Sequence, residues 1–324
     1  MSNEIDKNSI NSKTDNNVAN DSEKNYNNGI TNGDNTNENV TNGNVTNENV
    51  TNGNVTNENV TNGNVTNEDV TNSENLNKAS FNLKDGLSRI ERTLKGDGYA
   101  FSDLLCVDKN LNSIPEEIVK YTHLKYINMA HNKIKNITIL YELNYIICLD
   151  LSYNSIEKLE KLEKIYLKNC LYMNISHNLI KIVEDIMIKN IIELDLSYNT
   201  IEEINIYLSA TLKILILSNN NIKNLNFKNN LPNLVLLDIS SNPIENLNFY
   251  DLTPNINELK INDNSTIPIE QLSNLNHFKY LKSLEMKKFD SFKDMSYDEI
   301  KEMLLKNTQQ IKLSQFNGQA FGDG

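Results

Sequence analysis

An asparagine returns along this chain at a nearly constant interval. It stands at Asn132, Asn154, Asn178, Asn199, Asn220, Asn242 and Asn264, with successive gaps of 22, 24, 21, 21, 22 and 22 residues. Five and three positions before each stand two apolar residues: Ile127/Met129, Leu149/Leu151, Met173/Ile175, Leu194/Leu196, Leu215/Leu217, Leu237/Ile239 and Leu259/Ile261. A third lies eight before: Leu124, Ile146, Cys170, Ile191, Leu212, Leu234 and Ile256. A period of this length, carried by four slots, means stacked copies of one structural unit, and it outweighs local propensity.

Each slot has its own physical reason. The paired apolar residues alternate with period two, so each pair predicts a short strand with both side chains inward. Successive strands then line up as a parallel sheet, because no single coil can bury its apolar face alone. The asparagine falls where the chain turns off the strand. Its amide both donates and accepts, so it can pair buried backbone groups of its own coil and the next. The return leg carries apolar residues in threes, as in Ile156, Leu159, Leu162 and Ile165, or Ile222/Leu225 and Ile244/Leu247. That spacing suits a 3-10 turn or an extended leg rather than an α-helix.

This slot pattern is that of the leucine-rich repeat in its short form. The expected fold is an α/β solenoid, a horseshoe with its parallel sheet on the concave face, helical caps at both ends and a long disordered amino-terminal tail. The expected divisions are a tail over 1–79, a cap helix within 80–100, repeats over 101–280, and a carboxy-terminal repeat and cap over 281–324. In the tail, a ten-residue unit close to TNGNVTNENV occurs four times in tandem from Thr31 to Val70. Its apolar content is almost only valine, too little to offset chain entropy. Leu83, Leu87, Ile90 and Leu94 recur at helical spacing, with Gly96 after them, and predict the first cap helix. A degenerate first coil follows, with Phe101, Leu104, Cys106, Leu111 and Ile114 in apolar slots and Lys109 in the asparagine slot. At the far end Leu281, Leu284 and Met286 fit the slots, and Phe289 replaces asparagine. Ser296 and Glu299 form a capping box for a helix whose apolar face is Ile300, Met303 and Leu304. Ile311, Leu313 and Phe316 predict a last half-coil, and the final GQAFGDG is expected to fray.

Composition bounds the function. Net charge is −12; residues 1–80 hold 12 acids and 4 bases, hence −8, leaving 31 acids against 27 bases, hence −4, for the rest. No basic stripe suits nucleic acid. No apolar run reaches the ~18 residues of a spanning helix, so no membrane segment is expected. The opening MSNEIDKNSI is polar, so no secretory leader is expected. Three scattered cysteines, Cys106, Cys148 and Cys170, suit a reducing, cytoplasmic setting, with Cys106 and Cys170 packed as small hydrophobes.

Strand alternation predicts an outward face. Tyr126, Asp150, Tyr153, Tyr172, His177, Glu193, Asp195, Tyr198 and Asp238 make it aromatic and acidic, and Ile214, Ile216 and Leu236 add an apolar patch. Aromatic anchors beside apolar side chains are what protein interfaces favour, and the acids favour a basic partner. No catalytic site, metal site, cofactor or small-molecule substrate is expected. His131 and His177, two coils apart, should lie roughly 10 Å from each other. Two imidazole nitrogens on one zinc can be no more than about 4 Å apart.

A narrower likeness lies in the residues around the repeats. LKDGLSRI (83–90), LLCVDKNLNSI (104–114) and YTHLKYINMAHNKI (121–134) resemble the start of the leucine-rich-repeat radial-spoke proteins of motile cilia. HFKYLKSLEM and MSYDEIKEMLLKN resemble that family's last coil and cap helix. Phe289 and the DSFKD after it depart from the Asn-Pro usual there. The resemblance covers about residues 81–316 and implies a structural adaptor in the flagellar axoneme. The coils also resemble the leucine-rich-repeat regulator of protein phosphatase 1, which has more of them. That second resemblance implies a regulatory subunit, in nucleus or cytoplasm.

Overall fold

A computed structural model describes residues 81–93, 95–288, 292–308 and 311–321. The expected tail over 1–79, Leu94 and Phe289 lie outside the described residues. Fourteen short strands are present among them: β1 (Leu87–Arg92), β2 (Tyr99–Leu105), β3 (Tyr126–Asn128), β4 (Cys148–Asp150), β5 (Lys158–Leu159), β6 (Tyr172–Asn174), β7 (Ile182–Val183), β8 (Glu193–Asp195), β9 (Ile214–Ile216), β10 (Leu236–Asp238), β11 (Glu258–Lys260), β12 (Ser283–Glu285), β13 (Gln315–Phe316) and β14 (Gln319–Ala320). Twelve form one sheet in the order β1-β2-β3-β4-β6-β8-β9-β10-β11-β12-β13-β14. Every pairing from β2 to β13 is parallel, and the two end pairings are antiparallel.

The register is one repeat per rung: Tyr126 pairs with Cys148, Cys148 with Tyr172, Tyr172 with Glu193. The three apolar slots fill the interior, and in all seven regular coils each of these residues is at most 2 % exposed. Return legs differ from coil to coil. One is a 3-10 turn, Thr138–Glu142; others are extended and paired, as β5 with β7 and Leu162 with Ile186. The three-residue spacing holds for Ile156, Leu159 and Leu162, which are buried, but Ile165 is 58 % exposed. The chain turns outward after Leu162, and Leu167, at φ 46°, takes the next core position. Phe227, Phe249 and Phe278 pack into one another on the return side, with ring centroids 6.5 and 5.4 Å apart.

The amino-terminal cap departs from expectation. A single 3-10 turn at Leu83–Gly86 is followed by β1 and β2, an antiparallel hairpin, where a helix was expected. The reason lies in the open edge of the sheet. A helix would only cover that edge, whereas a strand pairs its exposed N–H and C=O groups. Gly96, at φ 71°, lies in the connecting turn rather than ending a helix. Phe101 does not fill a core slot: it pairs with Ile90 on the outward face, and Ser102 is buried in its stead. Gly86 permits the close approach of turn and strand, since a Cβ there would stand 2.5 Å from the Leu105 carbonyl oxygen. We expect Gly86→Ala to cost about 2 kcal/mol in urea unfolding, because backbone must move. No change in midpoint would contradict that packing.

The carboxy-terminal cap contains the expected helix α1, Tyr297–Asn307. The Ser296 Oγ accepts from Glu299 N at 3.3 Å, and the Glu299 carboxylate accepts from Ser296 N at 2.7 Å. Leu304 is buried; Ile300 and Met303 pack partly against the core. Of the GQAFGDG expected to fray, Gly318–Phe321 are placed and hold β14, and residues 322–324 lie outside the described residues. Asn317 and Gly318, at φ 51° and 81°, turn β13 back onto β14. Asn-Gly suits a two-residue hairpin because both positions need positive φ. Both ends of the sheet thus close with an antiparallel strand.

Candidate functional site

The seven asparagines are 0 to 8 % exposed and hold neighbouring coils together. Asn178 shows the pattern. Its Nδ2 donates to Leu151 O, Ile175 O and Ser176 O at 3.0, 3.1 and 3.0 Å, and its Oδ1 accepts from Ile156 N at 3.0 Å. Asn154, Asn199, Asn220 and Asn242 repeat this arrangement. Asn132 instead accepts from Lys109 N and Leu111 N, which ties in the degenerate first coil. At Asn264 the pattern loses two bonds: Nδ2 donates only to Ile239 O and Asn262 O, and among the described residues Oδ1 meets no donor. A second amide row runs nine residues before the first. Asn169, Asn190, Asn233 and Asn255 each donate to a carbonyl of the preceding coil at 2.7 to 2.8 Å.

Beside the ladder the backbone turns left-handed in every coil, with φ between 52° and 57° at His131, Tyr153, His177, Tyr198, Asn219, Ser241 and Asp263. This sharp turn throws four rings outward in register. His131, Tyr153, His177 and Tyr198 stack face to face, with centroids 4.2, 3.9 and 4.1 Å apart and planes within 10°. His131 and His177, either side of Tyr153, are therefore closer than the rung spacing implies. All four were expected in one outward row; their stacking into a column was not.

Asp150, Asp195 and Asp238 stand on the same face one step along the strands, but each is also a fold element. Their Oδ1 atoms accept from Ser152 N, Ser197 N and Ser240 N at 3.0, 2.8 and 2.9 Å. Asn128 and Asn174 do the same in their coils. An Asp or Asn two residues before a small residue, repeated down the chain, was a legible signal for this turn. Ile216 lies between Asp195 and Asp238, half-buried rather than openly exposed, as are Ile214 and Leu236. The first outward row presents Tyr126 and Tyr172, both exposed, and Glu193, half-buried. Burial, then repulsion from Asp195, raises the Glu193 carboxyl above its ordinary value. Burial likewise raises Asp238, against the pull of its Ser240 bonds and Lys260. Cys106 and Cys170 are buried, and burial pushes their thiols up to about 11 and about 12.

Burial among the rings lowers the His177 imidazole from its ordinary 6.5; Asp195 opposes this and His131 adds to it. A base held neutral in the fold is protonated more readily once unfolded. Its stabilising contribution is full above the ordinary value and is lost as pH falls from there through the lowered folded value. We expect His177→Asn to lose less Tm than the parent between about pH 7.5 and about pH 5. Equal losses in the two proteins would contradict this.

Among the described residues no three His, Cys, Asp or Glu side chains are grouped to hold a metal ion, and no helix is long and apolar enough to cross a membrane. No protein-family model and no curated protein matches the sequence. Solved structures do align with it. Internalin C2 of Listeria monocytogenes is 19 % identical, over 60 % of this chain and 77 % of that one, with a TM-score of 0.39. A leucine-rich repeat protein of Leptospira interrogans is 22 % identical, over 63 % and 58 %, with a TM-score of 0.42. The Toll-like receptor of a TLR13–ssRNA13 complex is 20 % identical, over 66 % and 38 %, with a TM-score of 0.46. The chain thus spans less than two thirds of the latter two proteins. The coil geometry, rather than these partial alignments, carries the assignment: stacked parallel rungs locked by an inward amide ladder make this chain a leucine-rich repeat solenoid.

Proposed function

We propose that this protein is a non-enzymatic scaffold that docks another protein on the outward face of its sheet. The contact runs through Tyr153, Tyr172 and Tyr198, and the acids Asp150, Glu193, Asp195 and Asp238 favour a basic partner. The observation that supports this reading is the ring column. Four rings are fixed by one another and by the left-handed turns beneath them, so little side-chain entropy remains to be lost on binding. Such pre-ordered aromatic side chains are typical interface anchors. The face carries these acids in two neighbouring rows, which disfavours the phosphate backbone of nucleic acids.

The narrower reading, an adaptor of the flagellar axoneme, rests on the sequence resemblance of residues 81–316; the phosphatase regulator is the alternative to it. A cytoplasmic place belongs to either. Affinity purification with the folded protein tests the docking face. The triple substitution of Tyr153, Tyr172 and Tyr198 by alanine should lose proteins that the parent recovers, and unchanged recovery would reject the face. The recovered proteins then separate the narrower readings: spoke proteins support the adaptor, and a phosphatase catalytic subunit supports the regulator.

A further inference from the structure

The chain already binds an arginine on this face, and the arginine is its own. The Arg89 guanidinium lies over the Tyr126 ring, its Cζ 4.7 Å from the centroid. The same group pairs with the carboxylate of Asp103, Nη2 to Oδ1 at 2.9 Å and Nε to Oδ1 at 3.1 Å. Asp103 and Tyr126 are registered neighbours on adjacent parallel strands. The motif is a tyrosine face and a carboxylate one rung apart, closed by a planar cation that stacks on one and pairs with the other.

The same pair of groups recurs further along the sheet without its cation. Tyr172 and Glu193 are registered neighbours on β6 and β8, in the same outward row as Asp103 and Tyr126. The Tyr172 side chain is 42 % exposed, close to the 39 % of Tyr126. Among the described residues no ring or cation covers it, and no donor reaches the Glu193 carboxylate. Glu193 is half-buried, and a half-buried carboxylate with no partner gains from a cation more than a solvated one does.

We propose that Tyr172 and Glu193 together receive an arginine side chain of the docked protein. This rests on the reading of the sheet face as a docking surface and gives its basic partner a definite chemistry. A guanidinium is planar and can stack and pair at once; an ammonium is a compact point charge and cannot. The arginine comes from another kind of molecule. Arg89 and Arg92 are the only two arginines in the chain; Arg89 is held as described, and Arg92 donates to Gly96 O. Residues 1–80 contain no arginine.

The test is an NMR titration of the full chain with N-acetyl-arginine amide, observed at the tyrosine rings and backbone amides. The expected result is a saturable shift at Tyr172 and its neighbours. N-acetyl-lysine amide should not reproduce it, and Glu193→Gln and Tyr172→Leu should lose it while keeping the parent amide spectrum. Tyr172→Phe, which keeps the ring, should retain it. No saturable shift, an equal shift with the lysine compound, or a shift that survives both substitutions would overturn the arginine assignment. Should that happen while the triple tyrosine variant still loses its partner, the docking face stands and the arginine assignment alone falls. If the triple variant also keeps its partner, both fall.

Discussion

Replacing Asn178 by leucine is expected to destabilise the protein by about 4 kcal/mol. The reasoning follows from which groups are left alone. Three carbonyls lose a bond, but each keeps another: Leu151 O still accepts from Asn154, Ile175 O from Asn199, and Ser176 O from Tyr153 N. The Ile156 N–H keeps nothing, because Asn178 Oδ1 at 3.0 Å is its acceptor. One buried donor stranded costs about 1–3 kcal/mol, and three weakened acceptors add about 0.5–1.5 kcal/mol each at most. A leucine must also fit where a planar amide lay. Equilibrium urea unfolding followed by circular dichroism measures the change. A loss under about 1 kcal/mol would mean that the ladder bonds are replaced by water at little cost.

Phe249→Ala is expected to cost about as much, about 4 kcal/mol, for a different reason. Phe249 is 2 % exposed and sits between Phe227 and Phe278, so its removal opens a cavity on the return side of three coils. Stacked coils touch only their neighbours, so the damage should spread along the chain from that point rather than collapse it uniformly. Hydrogen exchange by mass spectrometry would show this as faster exchange in the coils around Phe227, Phe249 and Phe278, with those around Asn132 and Asn154 little changed. Uniform loss of protection would argue against a chain of nearest-neighbour contacts.

Much of this architecture is legible in the residues. The four apolar and amide slots of each coil set strand, register and interior, because a side chain moved by one position would face the other way. The capping box at Ser296 and Glu299 is equally local. The amino-terminal cap is not legible in its own residues: Leu83, Leu87 and Ile90 satisfy a helical period, while the deciding interaction, an unpaired sheet edge, is not written in that segment. The carboxy-terminal hairpin carried a readable signal, Asn317-Gly318, outweighed by its place near the end of the sequence. Of the outward face, alternation placed Tyr126, Tyr153, Tyr172 and Tyr198 correctly. It put His131 in one row with Tyr153, His177 and Tyr198, but it missed that these rings stack and that Asp150, Asp195 and Asp238 also bind their own backbone. Stacking across coils depends on the left-handed turn before each ladder asparagine, and single-residue periodicity does not express a dihedral angle.

Where the partner touches the protein is the most direct question. A photo-crosslinking phenylalanine derivative at Tyr172, 42 % exposed on the sheet face, can be compared with the same group at Tyr207, 45 % exposed on a return leg. Equal exposure makes the two positions equally open to chance collisions. Docking on the sheet predicts partner adducts at Tyr172 and none above background at Tyr207. Adducts of similar yield at both sites, or at Tyr207 alone, would contradict it.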